Sequence, residues 1–189
     1  MNDIQKALER IYKWLEANLP EAASDLQPGL NSNEINKKMS NISMSLPQEI
    51  YEIYSWRNGN IQWLRYPILG LGFPPFETAL NTYLAFMEEP EFWNYKYFPI
   101  FQFDQNFDCV ILKPEKQIRS PILSIDKKSY LLEEEEEDFD YYLSFINLTS
   151  MMLAIAECYE IGVFQITAEG TIIGDNKSFE TIRHKYNSN

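Results

Sequence analysis

The sequence predicts a single α+β domain in which an antiparallel sheet of about four to six strands is flanked by about five or six helices. Three observations support this fold class. Apolar residues recur at helical spacing in the first 60 residues, strand-like runs separated by turn formers follow from about residue 92, and an apolar helical pattern returns near residue 148. A chain of 189 residues is long enough for one domain with a sizeable core, so we expect one domain over residues 1–189.

The first 60 residues predict three helices joined by short links. The first helix, from about residue 3 to 18, is indicated by apolar residues at helical spacing and by the proline that ends them, namely Ile4, Leu8, Ile11, Leu15 and Pro20. Residues 22–30 are polar and contain the turn signal Pro28-Gly29, which predicts a loop. Asn31 and Glu34 then have the spacing of a capping box at the start of a second helix.

The third helix is predicted within residues 46–60, where both ends are marked. Pro47 suits the first helical turn, and Asn58-Gly59 favours the left-handed backbone conformation that ends a helix. One face carries the apolar residues Leu46, Ile50, Ile53 and Tyr54, and we expect this face to pack on the core. Trp56 and Arg57 lie off that face. Both are residue types enriched at protein interfaces, which makes them candidate partner-binding residues.

The sheet is predicted in the middle of the chain. Residues 61–73 indicate a hairpin or an irregular strand pair, and residues 76–88 return to helical spacing. The strands of a four-strand antiparallel meander are then predicted at 98–103, 107–112, 121–125 and 130–132. Pro99 cannot donate a backbone hydrogen bond, so we expect it at the start of a strand or on an edge strand.

The C-terminal part of the chain predicts one strongly apolar helix and an extension. Residues 139–145 fit either a strand or a helix. Apolar residues keep helical spacing through 148–159, and Gly162 is a stop signal; we place this helix across the sheet. The extension begins at about residue 163, with an apolar run at 163–166, a strand at 171–173 and a charged helix at about 177–186.

The charge of the chain bears on its partners. There are 16 Lys and Arg residues against 28 Asp and Glu residues, which gives a formal net charge of −12. Nucleic-acid binding depends on neutralising phosphates, so this charge argues against it. A basic protein partner is the opposite inference, because a negative surface potential steers a cationic protein toward the chain. The alternative, that the charge serves only solubility, remains open.

Carboxylates form two further candidate partner-binding groups. Asp104 and Asp108 flank the predicted turn of the central hairpin. Such a pair could carry out acid–base chemistry or hold a divalent ion, or it could only hydrogen-bond to its own turn. The second group is an uninterrupted acidic run: Glu133, Glu134, Glu135, Glu136, Glu137 and Asp138. Six adjacent carboxylates cannot be buried together, which predicts a solvated loop that either has no partner or binds a basic partner or loosely held cations.

Other residue types give little support for catalysis. The one histidine, His184, is near the polar C-terminus, and the 7 glycines form no phosphate-binding motif. Cys109 and Cys158 are the only cysteines, and they lack metal-ligand spacing, so we expect two reduced core thiols. We therefore expect no catalytic residue, no cofactor and no metal, although a hydrolase that uses carboxylates remains a possible alternative.

Membrane association is not expected. No stretch approaches the roughly 18 apolar residues that span a bilayer, and the first residues lack the basic and apolar segments of a signal peptide. These features predict a cytoplasmic protein.

Several motifs resemble the SUKH superfamily, also known as the Smi/Knr cell-wall assembly regulator family. The resemblance begins with Gly29-Leu30-Asn31-x-x-Glu34-Ile35 and continues with Leu46-Pro47-x-Glu49-Ile50-x-x-x-Tyr54-x-x-x-Asn58-Gly59. Later pieces follow in order: Pro99-Ile100, Asp108 at a strand start, Pro121-Ile122-Leu123 and Ala156-Glu157-Cys158-Tyr159-x-x-Gly162. It covers about residues 1–165. One departure is Phe107, which stands where the family often has glycine.

The resemblance implies a non-enzymatic α+β domain in which helices flank a curved antiparallel sheet. Bacterial members of the family are mostly immunity proteins that bind and neutralise polymorphic toxins, including nuclease and deaminase effectors. It therefore implies a toxin–antitoxin role with a protein partner, a basic toxin domain. The alternative is an intracellular regulatory or scaffold protein, as in the fungal relatives.

Overall fold

The computed structural model describes residues 1–62, 71–88, 96–103, 106–126, 141–167 and 172–188. These residues form seven helices: α1 Asp3–Asn18, α2 Pro20–Asp25, α3 Ser32–Lys38, α4 Gln48–Trp56, α5 Phe76–Met87, α6 Leu148–Glu160 and α7 Asn176–Asn187. They also form eight strands: β1 Leu26–Pro28, β2 Arg57–Asn60, β3 Tyr97–Phe103, β4 Asn106–Ile111, β5 Ile122–Asp126, β6 Tyr141–Phe145, β7 Phe164–Ile166 and β8 Ile172–Gly174. The architecture is α+β, as the sequence predicts.

The helices α1 and α3 both begin at capping boxes. At α1 the Asn2 side chain accepts a hydrogen bond from the Gln5 amide, and the Asn2 amide donates to the Gln5 side chain. The predicted box at α3 is confirmed: the Asn31 side chain accepts from the Glu34 amide at 3.0 Å, and the Glu34 carboxylate accepts from the Asn31 amide at 2.7 Å. Local residue choice thus sets where these helices start.

Two boundaries in the N-terminal region differ from the prediction. The loop predicted at 22–30 is wrong in part, because residues 20–25 form α2 and residues 26–28 form β1. The helix predicted within 46–60 ends at Trp56, and residues 57–60 form β2, which pairs antiparallel with β1. Gly59 has a φ of +73°, but it adopts this conformation inside β2 and not at the helix end. The backbone partner supplied by β1 favours the strand.

Three strands of the predicted antiparallel meander are confirmed as β3, β4 and β5, and the described sheet has the strand order β3-β4-β5-β6. The fourth strand of this sheet is β6. The segment 139–145, which fits either a strand or a helix in sequence, therefore forms a strand over residues 141–145. The return strand predicted at 130–132 lies outside the described residues, as does most of the hairpin predicted at 61–73. Pro99 lies in β3 at the edge of the sheet, as expected. The strands β1-β2 and β7-β8 form two further two-stranded sheets.

The main hydrophobic core joins the N-terminal and C-terminal helices. It runs from Ile4 of α1 to Ile182 of α7 and includes most of α6. The predicted apolar helix is α6, and it touches the sheet at β6 while it packs chiefly against α1 and α7. Gly162 follows it with a φ of +77°, as the stop signal predicts. The predicted C-terminal extension therefore contributes to the same core.

The buried residues of α5 belong to the main core, while Phe86 near its end reaches a second cluster on the other face of the sheet. There Phe107, Cys109 and Ile125 form a small cluster with Phe86 and Tyr97. Cys109 and Cys158 are both buried and free of disulfides, which agrees with the expected core thiols. None of the described helices combines the length and apolar character needed to cross a bilayer.

Candidate functional site

The predicted interface residues Trp56 and Arg57 lie at the end of α4 and pack against α1. The Arg57 guanidinium is 4.7 Å from the centre of the Tyr12 ring and 5.7 Å from that of Trp56. The Tyr12 and Trp56 rings meet edge to face at 6.3 Å. All three residues are half-buried, so this cation–π cluster both stabilises the α1–α4 contact and reaches the surface.

Trp56 also lines a surface groove between α1 and α4, with a volume of about 410 Å³. Carboxylates stand on both helices that form the groove, Glu9 on α1 and Glu52 on α4, and Tyr51 adds a second aromatic side chain. The Glu52 carboxylate accepts a hydrogen bond from the Asn2 side chain at 2.9 Å. Sequence reasoning missed Glu9, Tyr51 and Glu52, because only the packing of α1 against α4 brings them together.

Asp108 begins a polar row across the sheet. In the strand register Asp108 of β4 lies opposite Ser124 of β5, and Ser124 lies opposite Tyr142 of β6. Directly opposed residues share a face of the sheet, and the Ser124 hydroxyl donates a hydrogen bond to the Asp108 carboxylate. The next row along the same strands is apolar and fully buried, formed by Val110, Ile122 and Phe145.

A cavity of about 550 Å³ lies over this polar row. Met151 and Ile155 of α6 form one wall, and the C-terminal elements contribute Phe164, Ile172 and Phe179. Tyr142 stands at the rim with 65% of its surface exposed. The cavity therefore has an apolar wall and a floor that carries the Asp108 carboxyl and the Ser124 hydroxyl, and Asn106, Ser144 and Asn176 add polar residues to its lining.

The Asp108 carboxyl has an unusual environment for an acidic group. It is only 6% exposed, and burial raises its pKa to about 6, against the opposing effect of the Ser124 hydrogen bond. Removal from water disfavours the charged form of a carboxyl, and a hydrogen bond to the carboxylate favours it. At neutral pH the group is therefore largely ionised while it lies in a poorly solvated place.

The remaining predicted acidic candidates lie elsewhere. Asp104 and the acidic run 133–138 are outside the described residues, so the expected pairing of Asp104 with Asp108 stays a prediction. His184 is exposed on α7, with its ring 3.9 Å from the Glu180 carboxylate. Within the described parts of the chain, no group of three or more His, Cys, Asp or Glu residues is placed to hold a metal ion.

A second buried carboxyl, that of Glu49, joins α4 to the start of α6. Its Oε1 atom accepts hydrogen bonds from the Thr149 amide at 2.9 Å and from the Thr149 hydroxyl. Burial raises the pKa of Glu49, and the hydrogen bonds from Thr149 oppose this effect. Glu49 belongs to the Leu-Pro motif of the sequence, and its contacts give it a role in joining helices.

Two acidic residues of α6, Glu157 and Glu160, form ion pairs with neighbouring helices. Arg10 of α1 holds Glu160 through two hydrogen bonds of 2.7 and 2.5 Å, and Lys185 and Tyr186 of α7 both donate to Glu157. These donors lower the pKa of both glutamates. Part of the negative charge of α6 is thus used to hold α1 and α7.

No protein-family model matches this chain, and no curated protein matches it.

Proposed function

We propose that this protein is a non-enzymatic protein-binding domain of the SUKH type, an immunity protein that binds and neutralises a basic toxin. The groove between α1 and α4 carries this proposal. It combines two carboxylates, Glu9 and Glu52, with the aromatic side chains of Tyr51 and Trp56. Aromatic anchors beside acidic groups suit a protein surface that presents Arg and Lys side chains.

The charge of the whole chain supports the same kind of partner. A formal net charge of −12 attracts a cationic protein over distances longer than direct contact and raises the rate of encounter. Contact at the groove then buries aromatic surface and pairs carboxylates with cations. Neutralisation follows when the bound chain covers the toxin's active site.

The residues that carry the resemblance lie at positions that hold the fold together. These residues stand where elements meet: Asn31 and Glu34 cap α3, Glu49 joins α4 to α6, and Gly59 lies against the backbone of Pro74. Such positions maintain a scaffold, whereas the groove residues Glu9 and Glu52 are not among the motif positions that carry the resemblance.

The proposal is tested by co-expression with the product of the neighbouring gene in a bacterial host. We expect that product to be toxic alone and the host to grow when this chain is present. A harmless neighbour that this chain does not bind would contradict the immunity role and favour the regulatory scaffold alternative.

Charge reversal in the groove tests the binding face. The double variant Glu9→Lys and Glu52→Lys is expected to lose protection and to slow association with the toxin by about tenfold or more at low salt. The control is Glu88→Lys with Glu115→Lys, which changes the net charge equally at exposed positions outside the groove. Equal loss in both double variants would place the binding face elsewhere and leave only long-range steering.

A further inference from the structure

The cavity over Asp108 is separate from the groove between α1 and α4, and the proposed toxin binding makes no use of it. We propose that this cavity binds a small organic cation, a primary amine or guanidine attached to an aromatic or aliphatic body. This inference stands whether or not the chain is an immunity protein, since it rests on different residues.

The size and walls of the cavity suit a small molecule. Its volume of about 550 Å³ falls within the roughly 300–1,000 Å³ typical of ligand pockets, which are mostly apolar with a few placed polar groups. The walls carry Met151 and Ile155 on one side and Phe164, Ile172 and Phe179 on the other. An apolar ligand body would cover these side chains.

The floor of the cavity selects the charge of the ligand. Asp108 is buried, and in the described part of the chain its carboxylate receives a hydrogen bond from Ser124 and forms no ion pair with Lys or Arg. A buried carboxylate that lacks a cation is unfavourable, and a cationic ligand supplies the missing charge and hydrogen-bond donors. The raised pKa of Asp108 is consistent with this missing partner.

Other ligand charges fit less well. An ionised carboxylate only accepts hydrogen bonds, so an anionic ligand would be repelled at short range. A neutral alcohol can donate one hydrogen bond but does not offset the buried charge. The aromatic rings of Tyr142 at the rim and Phe179 in the wall add a surface that attracts cations.

The test is an NMR titration of the isotope-labelled full chain near neutral pH with phenethylamine as the probe. Phenethyl alcohol and phenylacetate serve as neutral and anionic comparisons of similar size. We expect phenethylamine to shift the signals of cavity residues such as Ser124 and Phe179 and to bind at least about tenfold more tightly than either comparison. Equal binding of the amine and the alcohol, or shifts confined to other regions, would overturn the proposal without any variant being needed.

A matched pair of variants tests the role of the carboxylate. Asp108→Asn keeps the shape of the side chain and is expected to remove the preference for the amine over the alcohol. Asp3→Asn makes the same chemical change at an exposed position of α1 and is expected to bind like the wild type. Unchanged amine binding by folded Asp108→Asn would contradict the assignment of Asp108 as the cation's partner.

Discussion

At the scale of single residues, two buried carboxyl groups differ in their hydrogen-bond partners. Among the described residues these are Glu49 and Asp108, which are 3% and 6% exposed. Glu49 accepts two hydrogen bonds from Thr149 at the start of α6, whereas Asp108 accepts one from Ser124 and faces a cavity. Burial raises the pKa of both groups, so ionisation of either one opposes folding, and Glu49 in addition links α4 to α6 through Thr149.

Asp108 should make stability depend on pH. Its pKa rises from 3.8 to about 6 on folding, so between about pH 4 and pH 6 the folded chain retains a proton that the unfolded chain releases. The contribution of Asp108 to the free energy of unfolding therefore decreases as pH rises through this range, by up to about 3 kcal/mol. The Asp108→Asn variant does not have this loss. The free energy of unfolding of the variant minus that of the wild type should therefore be larger at about pH 7.5 than at about pH 4.

Urea unfolding of both proteins at the two pH values measures this difference. Comparing two pH values cancels any constant effect of placing an amide in the cavity. Asp3→Asn again serves as the exposed control. A stability difference between Asp108→Asn and the wild type that is the same at both pH values would show that Asp108 titrates normally in the folded chain.

Glu49 should behave as a structural link. Glu49→Ala leaves the Thr149 amide and hydroxyl without their acceptor, and an unsatisfied buried polar group costs about 1–3 kcal/mol. Glu49→Gln retains an oxygen that can accept from Thr149, so it should cost less. Chemical unfolding of the two variants checks this order, and a loss below about 0.5 kcal/mol for Glu49→Ala would contradict it.

At the scale of elements, the junction between α4, β2 and the start of α5 depends on close backbone approach. The Asn58 side chain accepts a hydrogen bond from the Phe76 amide at 2.9 Å, and the Asn60 amide donates to the Phe73 carbonyl at 2.8 Å. A Cβ atom on Gly59 would lie 2.5 Å from the Pro74 carbonyl group and the Pro75 nitrogen. Glycine is therefore needed at position 59 both for its conformation and for space.

Gly162 offers a matched comparison for Gly59. Both residues have positive φ, +73° and +77°, but a Cβ atom on Gly162 would meet nothing within 4 Å. Gly162→Ala should cost about 1 kcal/mol from backbone strain alone. Gly59→Ala should cost about 3 kcal/mol or more, since the close contacts with the backbone of residues 74 and 75 are added to the strain.

The free energies of unfolding of the two alanine variants test this argument. Equal losses would mean that the backbone near Pro74 moves away at little cost, and the proposed rigidity of this junction would then be wrong.

The C-terminal helix protects the exposed edge of the sheet. Among the described strands β6 is the last of the four-stranded sheet, and edge strands leave backbone groups without partners. The Arg183 and Asn187 side chains of α7 donate to the Ser144 carbonyl at 3.2 and 3.0 Å, and the Ile146 amide donates to Asn187 at 3.1 Å. α7 thus supplies side-chain partners that a neighbouring strand would otherwise provide.

At the scale of the whole molecule, α6 links the two ends of the chain. It is buried along most of its length and packs between α1 and α7. Arg10 and Lys185 approach it from these two helices and pair with Glu160 and Glu157. The segment that looks like an extension in sequence is therefore part of the core, and it also provides one wall of the cavity.

The sequence by itself determined the α+β class, the helices with clear apolar spacing and those boundaries that a local cap or stop signal marks. The capping box at Asn31 and the left-handed Gly162 depend on residues close together in the chain, so short-range physics is sufficient for them. The same holds for the hairpin of β3 and β4, whose apolar runs flank turn formers.

Only the tertiary structure decided the short elements α2, β1 and β2 and the two concave sites. The strand β2 replaces the predicted last turn of α4 because β1, about 30 residues earlier, supplies its backbone partner. The groove joins Glu9 to Glu52, and the cavity joins Asp108 to Phe179. Residues so far apart in sequence come into contact only when helices and strands pack, so no local sequence pattern predicts these contacts.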